Sequence, residues 1–336
     1  MSIKVIKPGL LTTVQDLGRH GHQQEGVIVA GAMDPFALRI ANLLVGNSDN
    51  TAALEITLQG PTLYFENDQL IALAGADMTP VINNEPVRMW RPILLRAGST
   101  LALKGAREGC RTYLAVSGGI DVPAILGSTS TYLRAGFGGY QGRALQVDDV
   151  IPCQTHTPVA AALFTKLSEQ AVGKWFAQTS WTLEPQPYMV YEEQPLIKAL
   201  PGPEHELFNE SSQQYFWEGK FQVTSQSDRM GYRLLGQVLQ LAQPEEMLSS
   251  AVTFGAVQVP PQGSPIILMA DHQTTGGYPR IAQVISADLP KLAQVQPGRN
   301  IQFKKVNLQE AHALYMQQEA DLEQLKSAIS LKLRTS

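Results

Sequence analysis

Four stretches of the 336-residue chain hold more polar and glycine residues than packing alone requires. The first is Thr12-Thr13-Val14-Gln15-Asp16-Leu17-Gly18-Arg19-His20-Gly21, running on towards Gly31-Ala32-Met33-Asp34. The second is Ser117-Gly118-Gly119-Ile120-Asp121, followed by residues 126–132 and 136–139. The third is Ser225-Gln226-Ser227-Asp228-Arg229-Met230-Gly231-Tyr232-Arg233, and the fourth is Asp271-His272-Gln273-Thr274-Thr275-Gly276-Gly277-Tyr278-Pro279. The fourth offers two hydroxyls, an amide and glycine N–H groups that a ligand oxygen can approach closely. That suits a carboxylate, a phosphate or a developing oxyanion.

Arg19 and Arg229 have the forked geometry to clamp a carboxylate, and Asp16, Asp228 or Asp271 could orient a group or take a proton. The catalytic candidates are Asp228, Arg229 and Asp271. The candidates for substrate contact are Arg19, Tyr232, Gln273, Thr274, Thr275, Gly276, Gly277 and Tyr278. Taken singly, the same residues also read as structure: Asp-Arg pairs as salt bridges, Gly-Gly as a tight turn, Asp228 as a helix cap. His20 and His22, two apart, would share one face of a strand and permit metal ligation, but no other His or Cys lies near them. No metal site is expected. A Gly-x-x-x-x-Gly-Lys-Ser/Thr phosphate loop, a Gly-x-Ser-x-Gly elbow and a Lys flanked by Met residues for biotin attachment are all missing from the sequence.

The elements that must position these residues are mostly short. Apolar runs bounded by Gly, Pro, Asn or Asp predict strands at 3–6, 54–58, 70–74, 93–95, 111–116, 221–224 and 266–270. Asp34-Pro35 predicts an N-capped helix burying Phe36, Ile40, Leu43 and Leu44. Residues 310–332 carry the longest helical spacing. Short strands with few helices predict a mainly β chain with a β-barrel-like fold in each half.

The chain also echoes itself, from Asp34 to Asp228. Each Asp is followed five residues on by an Arg and then by an apolar tail, which predicts a second helix opened by Asp228. Leu63-Tyr64-Phe65 and Ile71-Ala72-Leu73-Ala74-Gly75-Ala76-Asp77 are echoed by Val257-Gln258-Val259 and Pro265-Ile266-Ile267-Leu268-Met269-Ala270-Asp271. The echo predicts a duplicated domain, divided as 1–157, a connecting segment 158–194, 195–306 and a C-terminal helix 307–336. Only 17% of residues are charged and the net charge is −4, so there is no basic footprint for nucleic acid and no polybasic membrane stripe. The amino terminus lacks an apolar core of signal-peptide length, so a cytoplasmic protein is expected. Cys110 and Cys153, the only cysteines, are read as buried free thiols.

Five motifs in order give the chain a family resemblance. They are Pro8-Gly9-x-x-Thr12-Thr13-Val14-Gln15-Asp16-Leu17-Gly18-Arg19, Gly31-Ala32-Met33-Asp34, Ser227-Asp228-Arg229-Met230-Gly231-Tyr232-Arg233-Leu234, Gln258-Val259-Pro260-Pro261-x-Gly263-x-Pro265-Ile266, and Asp271-x-Gln273-Thr274-Thr275-Gly276-Gly277-Tyr278-Pro279. Over roughly residues 3–305 the sequence resembles the biotin-dependent carboxyltransferase family of allophanate hydrolase subunit 2 and KipA, whose bacterial members include a 5-oxoprolinase subunit. His272 is a departure from its pattern, as is Leu145-Gln146-Val147-Asp148-Asp149 where a Gly-Asp turn is expected. The resemblance implies two tandem cyclophilin-like β-barrel domains. It also implies two partners, one KipI-like and one LamB/YcsF-like, and ATP-dependent opening of the 5-oxoproline lactam to L-glutamate. ATP would be bound by the complex, with no covalent biotin on this chain. The alternatives are a carboxyltransferase component of a biotin-dependent urea or amide carboxylase and a non-enzymatic regulator that binds KipI.

Overall fold

The computed structural model describes residues 1–184 and 192–335. It is mainly β and divides into two compact units, one of residues 1–19, 34–190 and 322–336, the other of 20–33 and 191–321. The units are not consecutive. Residues 20–33 belong with the second unit, where Met33 joins the core, so the expected boundaries at 157, 194 and 306 differ from the observed ones. The expected connecting segment is not a plain linker. It holds the α-helix Ala161–Gln170 and the strand Phe176–Gln178, and its residues 185–191 lie outside the described residues. The Ala, Leu and Lys content of that helix favours helix formation, and Leu163 and Leu167, one turn apart, are its buried face.

In the first unit, two six-stranded sheets close in a barrel-like arrangement around one core. One sheet runs Val150–Pro152, Ser2–Lys7, Thr62–Phe65, Thr100–Ala102, Val81–Ile82, Glu85–Pro86. The other runs Phe176–Gln178, Ile93–Leu95, Gln69–Asp77, Glu108–Val116, Ala53–Thr57, Leu11–Gln15. Alternate residues such as Ile3 and Val5, Leu63 and Phe65, Ile71 and Leu73, Leu114 and Val116 fill the space between them. Each such side chain contributes about 1.5–3 kcal/mol when fully buried. The helix Pro35–Leu44 packs on Gln69–Asp77 and Glu108–Val116, which is why those central strands are buried on both faces. Its cap is the expected one: the Asp34 carboxylate accepts from the Ala37 N–H at 2.9 Å, and Pro35 follows.

The second unit contains a closed seven-stranded barrel. Its order is Leu196–Pro201, Arg280–Val284, Ala256–Gln258, Ile266–Leu268, Gly231–Leu235, Lys220–Val223, Asn300–Lys305, which returns to the first strand. Phe208, Phe216, Phe221 and Phe303 dominate its core. The C-terminal helix runs Leu308–Thr335. Near its start Ala311 and Leu314 pack with Ile285 and Val306, and further on Leu322, Ile329 and Leu333 are buried.

The echoed segments are strands in both units, but they pair differently. Val257 and Gln258 lie directly beside Ile267 and Ile266, whereas Thr62–Phe65 and Gln69–Asp77 belong to separate sheets. The second helix expected at Asp228 is absent. Residues 228–231 form a turn into the strand Gly231–Leu235, because Tyr232 and Leu234 are buried while Arg233 and Leu235 face out, a period of two.

Candidate functional site

The third and fourth stretches meet in the second unit. Gly231 opposes Leu268 in adjacent barrel strands, and the pairing continues beyond them: the Met269 N–H donates to the Met230 carbonyl at 3.0 Å and the Asp271 N–H to the Arg229 carbonyl at 2.8 Å. Arg229 was expected to hold a substrate carboxylate; it holds that of Asp271. Its Nε donates to Oδ2 at 3.0 Å and its Nη2 to Oδ1 at 2.8 Å, and Nη2 also reaches the Gly31 carbonyl at 2.6 Å. Both side chains are almost wholly buried (4% and 5% exposed), so the two charges neutralise one another away from water. Asp228 is exposed and accepts from the N–H groups of Met230 and Gly231 at 2.8 and 3.1 Å. This Asx turn starts the strand. The Tyr232 ring belongs to the barrel core, with its hydroxyl 3.5 Å from the Ala293 carbonyl.

After Asp271 the chain forms a loop tied down at many points. His272 is buried with Nδ1 2.6 Å from the Gln273 carbonyl, and burial depresses its imidazole below the ordinary range, favouring the neutral ring. The Gln273 amide donates to Gln258 Oε1 at 3.4 Å, and the Val252 N–H donates to the Thr274 carbonyl at 3.1 Å. Thr275–Gly276 pairs with Ser250–Ala251 as a two-stranded ribbon. A Cβ on Gly276 would overlap Gln258 Nε2, an atom that is itself buried and, among the described residues, without a hydrogen-bond partner. Beyond the loop, Arg280 grips Glu204 through two charge-assisted bonds of 2.8 and 2.6 Å and donates to the Ala251 carbonyl at 3.0 Å. That bidentate bond, against the lesser opposing effect of burial, holds the Glu204 carboxyl below the usual range.

Thr275 and Tyr278 are exposed, and Gly277, Tyr278 and Pro279 form one wall of a cleft of about 600 Å³. Val259, Pro260 and Pro261, from the fourth resemblance motif, form another. The tertiary structure therefore joins Arg229, Asp271, Gln273, Thr274, Thr275, Gly276, Gly277 and Tyr278 into one region. A fixed loop with two threonines and adjacent glycines, beside an apolar cleft, can orient a polar ligand without large rearrangement.

Arg19 is placed otherwise, in the first unit. It is fully buried, with Nε donating to the Ile125 carbonyl at 2.8 Å, Nη2 to the Ser130 carbonyl at 3.0 Å, and its guanidinium 4.7 Å from the Phe137 ring centroid. Beside it Asp16 accepts from Ser128 Oγ at 2.7 Å, Ser130 Oγ at 2.5 Å, and the N–H groups of Thr129 and Gly18 at 2.6 and 2.8 Å. Burial pushes the Asp16 carboxyl up, but these donors together outweigh it and hold the group below its ordinary value. The first and second stretches thus form a clasp, with Arg19 committed to backbone carbonyls. His20 and His22 lie in a turn before the short 3₁₀ helix Gln23–Glu25, not on a strand.

Several polar contacts carried no local signal. In the first unit the buried Tyr113 hydroxyl donates to Glu55 Oε2 at 2.7 Å and accepts from the Asp34 N–H at 2.8 Å. Burial, then the Glu55 and Asp34 charges, push that phenol well above its ordinary value. The Glu204–Arg280 pair was also missed, since its partners are 76 residues apart. Gln258 was visible only as part of a motif. Cys110 and Cys153 are buried thiols outside any disulfide, and burial pushes the Cys153 thiol up to about 12.

Two barrel-like units, the second carrying this loop, define a class of protein. Residues 25–305 match the family described as carboxyltransferase domain, subdomain A and B, and the chain belongs to that family. Over 323 residues it is 44% identical to the C subunit of 5-oxoprolinase from Escherichia coli (strain K12), covering 96% of this chain and 97% of that protein. It is 42% identical to the C subunit of 5-oxoprolinase from Haemophilus influenzae, covering 95% and 96%. Among solved structures, Kluyveromyces lactis urea carboxylase superposes with a TM-score of 0.84 at 30% identity, over 96% of this chain but only 29% of that one.

Proposed function

We propose that this chain is a subunit of a cytoplasmic, ATP-dependent 5-oxoprolinase that opens the 5-oxoproline lactam to L-glutamate. The observation that carries the reading is near-complete alignment at 44% identity with a protein named as a subunit of that enzyme. A KipI-like partner and a LamB/YcsF-like partner complete the complex, which binds ATP; this chain carries no covalent biotin. A lactam is a poor electrophile. Phosphorylation of its amide oxygen by ATP, with release of ADP, makes the ring carbon open to water; addition of one water and cleavage of the C–N bond give the acyl phosphate of glutamate, which a second water hydrolyses to glutamate and phosphate.

On this reading the loop 274–277 meets the substrate through its hydroxyls and backbone N–H groups, next to Gln273 and Tyr278. The buried Arg229–Asp271 pair acts as a positioning element that holds the loop to the barrel. The test is to co-purify the chain with both partners and measure glutamate from 5-oxoproline with and without ATP. ATP-dependent glutamate that disappears when this chain is omitted is the expected result; no glutamate from a well-formed complex overturns the reading.

The similarity to urea carboxylase supports a second reading, a carboxyltransferase component acting on urea or a related amide. Labelled bicarbonate incorporated only when biotin carboxylase and biotin carrier proteins are added would favour it.

A further inference from the structure

A smaller cleft of about 180 Å³ lies in the first unit, between the helix Ala161–Gln170 and the segment 178–181. Lys166, Gln170, Gln178, Thr179 and Ser180 give it polar walls over Leu163 and Leu167, and its lining includes no Asp or Glu. Lys166 is exposed and makes no ion pair among the described residues.

A buried cation stands directly behind this cleft. Arg91 is 6% exposed; its Nη1 donates to the Thr179 carbonyl at 2.8 Å, and its Nε has no hydrogen-bond partner among the described residues. Arg229 and Arg280 each meet a carboxylate, whereas the charge that bears on Arg91 is the like charge of Arg88. Burial, and then Arg88, lower the guanidinium from its ordinary value. The preceding turn is fixed although Trp90 sits at φ +62°, a costly conformation for a bulky residue. Its N–H donates to the Leu73 carbonyl and its carbonyl accepts from the Leu183 N–H, each at 2.9 Å.

The bond from Arg91 reaches the cleft through the backbone. The peptide whose carbonyl it holds carries the Ser180 N–H, which donates to nothing among the described residues and which the bond polarises. The Gln178 Oε1 accepts from the Arg88 N–H at 3.3 Å, which keeps its NH2 group for a further acceptor. Three cations without a carboxylate suit a dianion, since a single carboxylate would leave more of their charge unbalanced. The cleft has the volume of about six waters at ~30 Å³ each, room for a phosphate group but not for a whole nucleotide.

We infer that this cleft binds a phosphate group, as the free ion or as the terminal group of a nucleotide, through Lys166, the Ser180 N–H and hydroxyl, and the Gln178 amide. Arg91 is a positioning residue that acts through the Thr179–Ser180 peptide. The inference stands apart from the 5-oxoprolinase reading, because binding needs neither partners nor turnover.

The test is calorimetric titration of the full-length chain, at low salt in a phosphate-free buffer, with inorganic phosphate, ADP and 5-oxoproline in turn. Phosphate or ADP should saturate one site, and K166E should weaken that binding at least ~10-fold without changing the melting temperature. K166R should restore most of the affinity, and R91M should weaken it although Arg91 does not touch the ion; if R91M fails to fold, the Lys166 variants decide. Saturation by phosphate identifies the free ion, and saturation by ADP alone identifies the nucleotide. The site is overturned if neither saturates, if K166E binds like the unaltered chain, or if K166E weakens an equally tight binding of 5-oxoproline. Each of these outcomes leaves the glutamate assay, and the reading it tests, untouched.

Discussion

Arg229 and Asp271 show how burial decides what a reactive-looking pair does. In the low-dielectric wall of the barrel neither charge is stable alone, so each satisfies the other, and their joint effect is to fix the start of the loop. Arg229→Ala removes the guanidinium that neutralises the buried Asp271 carboxylate, and should cost about 3–5 kcal/mol in urea unfolding. The paired replacement R229M/D271L should cost less than R229M alone; equal costs would mean that the two charges are not coupled. In the assembled enzyme R229A should lower turnover at least ~100-fold, and near-normal turnover would remove Arg229 from the mechanism.

Asp16 makes a different prediction. Its carboxyl is lowered in the folded state, so its contribution is complete above the ordinary aspartate value of about 3.9 and is lost as pH falls through the depressed folded value. Asp16→Asn should therefore lower stability at pH 7 and flatten its decline towards pH 3, as measured by denaturant midpoints. A variant whose midpoints fall as steeply as those of the unaltered chain would show that Asp16 does not set the acid limb.

Among the elements, the loop and ribbon at 271–280 are held by contacts from four directions: Arg229 at the start, Gln258 beneath, Ser250–Ala251 alongside and Glu204 at the end. Such bracing gives a short irregular segment the rigidity that a site needs. Gly276 is the tightest point, because any Cβ there meets the buried Gln258 amide. Gly276→Ala should cost about 1–3 kcal/mol through overpacking. It should also lower turnover of the complex by more than the fall in melting temperature accounts for, because the displaced segment is the one placed against substrate. Faster amide exchange at Thr275 would locate the disturbance; unaltered exchange and turnover would show that the ribbon tolerates a methyl group. The clasp in the first unit works similarly: Gly138, at φ +73°, brings its backbone against the Ser130 carbonyl that Arg19 also holds.

At the scale of the whole molecule, the chain is a carboxyltransferase-domain protein with its polar loop and an apolar, acidic cleft in one unit and a structural clasp in the other. No helix among the described residues is long and apolar enough to cross a membrane. A component of this kind should be inactive by itself. The purified chain with 5-oxoproline and ATP is expected to form no glutamate, with activity emerging only as both partners are added. Glutamate from the isolated chain would contradict the division of labour proposed above.

What the sequence alone determined is what local spacing can carry. Short apolar runs bounded by turn-forming residues marked strands within Ser2–Lys7 and Gln69–Asp77, and Asp34-Pro35 marked the first helix, because those patterns depend on near neighbours in the chain. Motif order was equally legible and pointed to the family. Tertiary structure decided the rest. The same Asp-x-x-x-x-Arg echo caps a helix at Asp34 and turns into a strand at Asp228, since a closing barrel needs the alternating residues after it. Arg229 met Asp271, Asp16 met Ser128 and Ser130, and Glu204 met Arg280 across 42 to 114 residues. No local pattern encodes such partners. They are chosen because a charge taken from water must find a complement wherever the fold brings one near, and the cleft forms where separate segments converge.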